Sequence, residues 1–276
     1  MRHDVFLTAN ENDPKDNKRS KWAKLVFMNP PCAFTAVRQQ YAPLHNATTG
    51  ARMSEFVRYD QDGDVAVLTM DDGKANAFGI NMINALMAGL DRASAEAGAV
   101  VIAGRPGVLC AGFDLAVIRG DDLEKKAAMR NAGVEALLRL YLHPQPLVIA
   151  CTGHAMAAGA LLLLTGDHRI GADGDFKIGL NEVAIGLTLP IFGLELARDR
   201  LDPRALDAAV LGATIYDPTG AAAAGYLDQV QAPDAVLAEA RKVAQGMVGL
   251  DATAFGATKA LLRGETVAKI RATLPA

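Results

Sequence analysis

Leu147-Val148-Ile149-Ala150-Cys151-Thr152-Gly153, followed by Ala157-Ala158-Gly159, reads as an apolar strand, a turn containing glycine, and a helix of small residues and leucines over 156–164. A continuous apolar run of this length fits a strand buried on both faces. The same order stands upstream, in Val100-Val101-Ile102-Ala103-Gly104 and then Cys110-Ala111-Gly112-Phe113-Asp114-Leu115. Residues 56–59 and 65–70 are β-like and are joined by the hairpin signal Gln61-Asp62-Gly63. Helical spacing follows over 81–95, with Ile83, Leu86, Met87 and Leu90 on one face, and over 123–142, with Val134, Leu137, Leu138 and Tyr141 as its stripe. Pro144 and Pro146 stop the second helix, and strand character resumes at 169–172 and around Phe176. Repeated βαβ order predicts an α/β fold with parallel strands and right-handed crossovers. After Pro190 the pattern turns helical, over 192–200, 204–211, 219–224, 233–248 and 252–272, and is expected to form a lid or an oligomer interface.

Composition bounds the function. The 276 residues are 51% hydrophobic and 21% charged, enough for one domain with a large core. A net charge of −3 gives no sign of a nucleic-acid or membrane-surface partner. No apolar run reaches the roughly 18 residues that span a bilayer. Cys32, Cys110 and Cys151 are far apart and lack a CxxC spacing, which argues against disulfides and metal clusters and for a reducing, cytoplasmic setting. Residues 1–52 carry mixed charges, amides and prolines without apolar periodicity, and read as a disordered or loosely attached extension. Met53 is a candidate true start.

Glu182 is the only acid in the apolar stretch 176–190. Its flanks, Leu180, Val183, Ala184 and Ile185, predict poor solvation and a raised pKa, which suits a group that takes and returns a proton. Taken alone, the residue also fits a turn acid that faces water. Each glycine turn likewise fits ordinary strand-to-helix punctuation. If both turns face one cleft, however, the N–H groups of Phe113 and Ala158 can point at a single oxygen and stabilise an oxyanion. His154 reads as satisfied by backbone, His168 as capping a helix end, and Asp167 and Arg169 as a local ion pair.

Together these segments resemble the crotonase, or enoyl-CoA hydratase/isomerase, superfamily. The resemblance rests on Lys74-Ala75-Asn76-Ala77, on 110–115, on Gly153-His154-Ala155-Met156-Ala157-Ala158-Gly159 and on Gly179-Leu180-Asn181-Glu182-Val183-Ala184-Ile185-Gly186, and runs from about Ser54 to the C-terminus. It implies a superhelix of ββα units as an acyl-CoA-binding core over 53–195. It further implies a helical trimerisation region over 196–276, in trimers or dimers of trimers. It also implies acyl-CoA thioester substrates, with coenzyme A entering as part of the substrate and no separate cofactor or metal. Phe113 and Ala158 would form the oxyanion hole, and Lys74, Ala75, Ala77, Gly112 and Asp114 would lie along the CoA. Family hydratases use two glutamates. Glu182 matches the second, while Leu161 stands at the position of the first, as in single-glutamate enoyl-CoA isomerases. The resemblance therefore implies a shift of the double bond from position 3 to 2. A hydratase recruiting Glu124 or Glu135, or a non-catalytic acyl-CoA-binding subunit, remains open at this point.

Overall fold

A computed structural model describes residues 55–274; the 1–52 extension and the proposed start at Met53 lie outside the described residues. Strands β1 (Val57–Asp62) and β2 (Val65–Met70) form the expected hairpin, with Val57 opposite Met70 and Asp62 opposite Val65. Gly63 takes φ +56° in its turn, a conformation glycine adopts without penalty. Helix α1 (Ile80–Glu96) leads to β3 (Ala99–Gly104) and β4 (Gly107–Cys110). Next come α2 (Leu115–Arg119), α3 (Leu123–Tyr141), β5 (Leu147–Cys151), β6 (Gly153–Met156), α4 (Ala158–Leu164), β7 (His168–Ala172) and β8 (Ile178–Gly179). The remainder comprises α5 (Ile191–Arg200), α6 (Leu206–Val210), α7 (Pro218–Ala224), β9 (Gln229–Gln231), α8 (Val236–Val248) and α9 (Ala252–Arg271).

The strands sort into two sheets, β1-β2-β3-β5-β7-β9 and β4-β6-β8. Successive units therefore add one strand to each sheet before crossing back through a helix, which is how the ββα order winds into a superhelix. Every pairing except the β1–β2 hairpin is parallel. The apolar runs in β3 and β5 have a direct cause. Val100, Ile102, Leu147 and Ile149 face a core shared with α1, α3 and α4, while Val101, Ala103, Val148 and Ala150 face a second core. That second core is closed by Val236, Ala240 and Ala244 of α8. Part of the C-terminal third thus covers the large sheet, where the sequence predicts a lid or interface. Burying one such Val or Leu contributes about 2 kcal/mol.

Three expectations are corrected. The sequence reads Gly153 as a turn and Met156 as a helix start, but 153–156 is a strand of the small sheet, as is 107–110, to which the sequence assigns no element. Asp167 does not pair with Arg169: it binds Lys259 at 2.5 Å and Arg263 at 3.0 Å, both from α9, whereas Arg169 pairs with Asp228 at 2.7 Å. His168 opens β7, and its Nε2 meets the Gln229 side-chain amide at 3.0 Å, so it caps no helix.

The α9 cluster is buried, with side-chain exposures of 5% for Lys259, 4% for Arg263 and 9% for Asp167. Lys259 also donates to the carbonyls of His143 and Gln145, and Arg263 to those of Tyr141 and Thr165. Burial pulls the Lys259 ammonium down to about 8 although Asp167 opposes it, so the charges tolerate burial only as a complete set. Asp167→Ala leaves two cations uncompensated and should destabilise the protein by about 3–5 kcal/mol in urea unfolding. A loss below about 1 kcal/mol would contradict this role for the cluster.

Candidate active site

The functional candidates lie just past the C-terminal ends of the three small-sheet strands. Cys110 ends β4, Met156 ends β6 and Gly179 ends β8, and each parallel strand releases its chain at the same edge. That edge is where open parallel sheets bind ligands.

Beyond β4, Gly112 sits at φ +106°, accessible to glycine and strained for other residues. Its carbonyl accepts from Phe78 N at 2.8 Å, and Ala111 N donates to Ala75 O at 3.0 Å, so the Lys74–Ala77 loop is stitched to this turn. Beyond β6, Ala157 holds φ 51° and ψ −119°, a conformation disfavoured for a side chain with Cβ, and donates to Gly179 O at 3.0 Å. The two turns touch. A Cβ built on Gly112 would stand 3.1 Å from the Ala157 Cβ and 3.8 Å from the Ala158 nitrogen. Gly159 lies so close to β4 that a Cβ there would meet Cys110 O at 2.0 Å.

Hydrogen bonds among the described residues include none donated by the Phe113 or Ala158 amides. Ala158 is the first residue of α4, where an N–H has no intrahelical acceptor and the helix dipole favours negative charge. Two neighbouring free amides can receive one oxygen.

Glu182 follows β8 at the start of the single 3₁₀ turn Val183–Ile185, and its carbonyl accepts from Ile185 and Leu187. The residue is half-buried, but its Oε2 is enclosed and has no hydrogen-bond partner. Desolvation raises the carboxyl pKa, with its own backbone N–H acting the other way. The direction matches the sequence reading, but only one of the expected flanks, Leu180 at 1% exposure, is buried. Val183, Ile185 and Leu187 are 45%, 54% and 42% exposed and do not enclose the acid. From elsewhere in the chain the Tyr226 phenol, 0% exposed, is raised mainly by burial and then by the charges of Tyr216 and Glu182. Nothing in the sequence near 226 marks that residue, which follows a run of alanines.

The remaining candidates separate. Lys74 and Ala75 line a cavity of about 480 Å³ together with Arg105, Ala111, His154 and Lys177, a wall with three cations and no carboxylate. Ala77 and Asp114 line another of about 420 Å³ with Asp72, Met82, Val117 and Met129. Glu182 borders neither of these cavities, and neither do Glu124 and Glu135. Asp114 also caps α2 by accepting from Ala116 N at 2.8 Å. Leu161 is 1% exposed and packs toward Gly193 of α5, inside the main core.

Sequence reasoning missed the clamp that shapes the Lys74–Ala77 loop. Asn76, fully buried at φ 51°, donates to Met70 O and Leu109 O, while the Asp72 carboxylate accepts from the amides of Lys74, Asn76 and Ala77. Burial opposes ionisation of Asp72, yet these backbone donors hold its pKa low. The Asp-x-x-x-Asn spacing before an alanine was the available signal.

Nucleophilic alternatives fail on solvation. Cys110 and Cys151 are buried free thiols pushed up to about 12 by desolvation. His154 Nδ1 accepts from Lys177 N at 2.9 Å, as expected of a backbone-satisfied ring. Among the described residues no group of three or more His, Cys, Asp or Glu is placed to hold a metal, and no helix is long and apolar enough to cross a membrane.

Comparison with known proteins places the chain in a family. The family model for enoyl-CoA hydratase/isomerase matches residues 60–273. Rat mitochondrial enoyl-CoA delta isomerase 1 is 28% identical over 228 residues, covering 80% of this chain and 79% of that protein. A Mycobacterium marinum enoyl-CoA hydratase structure superposes with TM-score 0.75 at 41% identity, covering 79% of this chain and 95% of that one. Human mitochondrial delta3-delta2-enoyl-CoA isomerase gives TM-score 0.75 at 29% identity, covering 79% and 86% respectively. The chain is a member of the enoyl-CoA hydratase/isomerase, or crotonase, family.

Proposed function

We propose that this protein isomerises enoyl-CoA thioesters, moving the double bond from position 3 to position 2 with Glu182 as the sole proton shuttle. The observation that carries the reading is one desolvated, unpartnered carboxyl, with an apolar residue, Leu161, at the position where family hydratases place their first glutamate. Hydration needs one group to deliver hydroxide and another to manage the α-proton. Isomerisation needs only one base that later acts as an acid.

In the proposed reaction the Glu182 carboxylate takes a proton from C2. The C2–H electron pair moves into the conjugated system, and negative charge collects on the thioester oxygen as a dienolate. The Phe113 and Ala158 amides receive that charge, each contributing about 3 kcal/mol in the transition state. Glu182 then returns a proton at C4, and the double bond rests between C2 and C3. The cationic wall of Lys74, Arg105 and Lys177 suits the phosphates of CoA.

Glu182 must be ionised to start the reaction. With its pKa raised, kcat/KM falls as pH drops through a midpoint above the usual glutamate range; a midpoint at or below that range would contradict this tuning. The test of the reaction itself is a paired assay on purified protein. Conversion of 3-enoyl-CoA to the conjugated 2-enoyl-CoA is expected, and 3-hydroxyacyl-CoA from 2-enoyl-CoA as the main activity would favour the hydratase alternative. Binding without turnover of either would favour a non-catalytic subunit.

We further propose a homotrimer or a hexamer, supported by the outward-facing Leu261 and Leu262 of α9, 85% and 73% exposed. A cytoplasmic location remains our reading of the cysteines, alongside relatives named as mitochondrial.

A further inference from the structure

Tyr226 is a fully buried phenol whose hydroxyl has no hydrogen-bond partner, and Glu182 presents a buried carboxylate oxygen in the same condition. Such atoms are uncommon, since an unsatisfied buried donor or acceptor is destabilising, and Asn181 Oδ1, beside Glu182 in the chain, is a third. The fold links their two segments. Strand β8, three residues before Glu182, is bridged to Tyr216 through Ile178 N to Tyr216 O at 3.0 Å and Tyr216 N to Ile178 O at 2.9 Å. The Tyr216 ring packs on the Tyr226 ring with centroids 5.9 Å apart and planes tilted by 47°. Tyr226 is fixed from behind, because Gly225 ends α7 in the left-handed conformation and Tyr226 N donates to Ala221 O at 2.8 Å.

Building on the isomerase reading, we infer that Tyr226 is a positioning residue: its O–H donates toward Glu182 Oε2 through one bridging water, stabilises the carboxylate form and fixes which oxygen faces the substrate. The charge of Glu182 already bears on the phenol, as does that of Tyr216, and no cation contributes. The Leu180 amide lies near the phenol oxygen without reaching hydrogen-bond geometry, so the O–H remains free to donate elsewhere. The arrangement answers a conflict in the site. Burial alone would drive Glu182 toward its neutral, inert form, and one neutral donor moderates that drift without adding a second acid that could manage hydration.

The test titrates the Glu182 carboxyl directly by carbon NMR in protein labelled at the glutamate carboxyls, the signal being assigned by its absence in Glu182→Gln. In Tyr226→Phe the titration midpoint should rise by about one pH unit, the effect of losing one hydrogen bond to a charged group. The acid limb of kcat/KM should move with it while acyl-CoA affinity stays within about twofold. Should Tyr226→Phe fold poorly, global 3-fluorotyrosine labelling of the native sequence strengthens the O–H donor and should lower the midpoint instead. A midpoint unmoved by either change would overturn the proposal. An NMR shift as expected in a protein inactive on 3-enoyl-CoA would instead uphold the Tyr226 contact and refute the isomerase reading.

Discussion

Glu182→Gln should lower turnover of 3-enoyl-CoA by about a thousandfold while acyl-CoA binding stays near the native level, the loss typical of removing a general acid–base. Glutamine keeps the shape and one acceptor oxygen but cannot take the C2 proton. The apolar surroundings that raise the glutamate pKa also tolerate a neutral amide, so the variant should fold. Measured kcat with bound-ligand calorimetry separates the outcomes. Near-native turnover would remove Glu182 from the mechanism, and loss of binding together with folding would assign it a structural role.

The second large effect concerns Gly159. An added methyl there meets Cys110 O at 2.0 Å and Cys110 C at 2.7 Å, both backbone atoms that cannot swing aside. Gly159→Ala must therefore push the first turn of α4 away from the end of β4, and with it the Ala158 amide from the Phe113 amide. Losing alignment of one oxyanion donor lowers kcat by about 10²–10³-fold. The effect should appear in kcat of the folded fraction, established by circular dichroism. A folded variant within a fewfold of native activity would show that the two amides do not act together.

The large sheet was legible because its strands are buried on both faces. Val100 to Ala103 and Leu147 to Cys151 have no polar alternation to confuse them with surface, and Gly104 and Gly153 stand one and two residues beyond them. The small sheet was not. Gly107-Val108-Leu109-Cys110 and Gly153-His154-Ala155-Met156 are four residues each and start with glycine, so their strand character comes from parallel partners far along the chain. Strand β9, Gln229-Val230-Gln231, is polar because it forms the sheet edge beside β7. The Asp167 pairing was hidden for a similar reason, since its partner Lys259 lies 92 residues away on α9 while Arg169 is next-nearest in sequence.

Motif spacing set Phe113 and Ala158 after glycine-containing turns and singled out the acid at 182, and the structure puts all three just past the ends of the small-sheet strands. The reason given for the acid's environment was local, and local sequence was misleading there. Val183 and Ile185 are exposed, and the Tyr226 phenol that feels the Glu182 charge comes from far along the chain. Leu161 shows the converse. Its type was visible in the sequence, but its burial beside α5 rather than in an open cleft depends on Gly193 making room.

The most direct test is a crystal structure with an unreactive saturated acyl-CoA bound. The thioester oxygen is expected about 3 Å from both the Phe113 and Ala158 nitrogens, with the Glu182 carboxyl over C2 and C4 of the acyl chain. A thioester oxygen held elsewhere, or a Glu182 side chain turned to solvent, would contradict it.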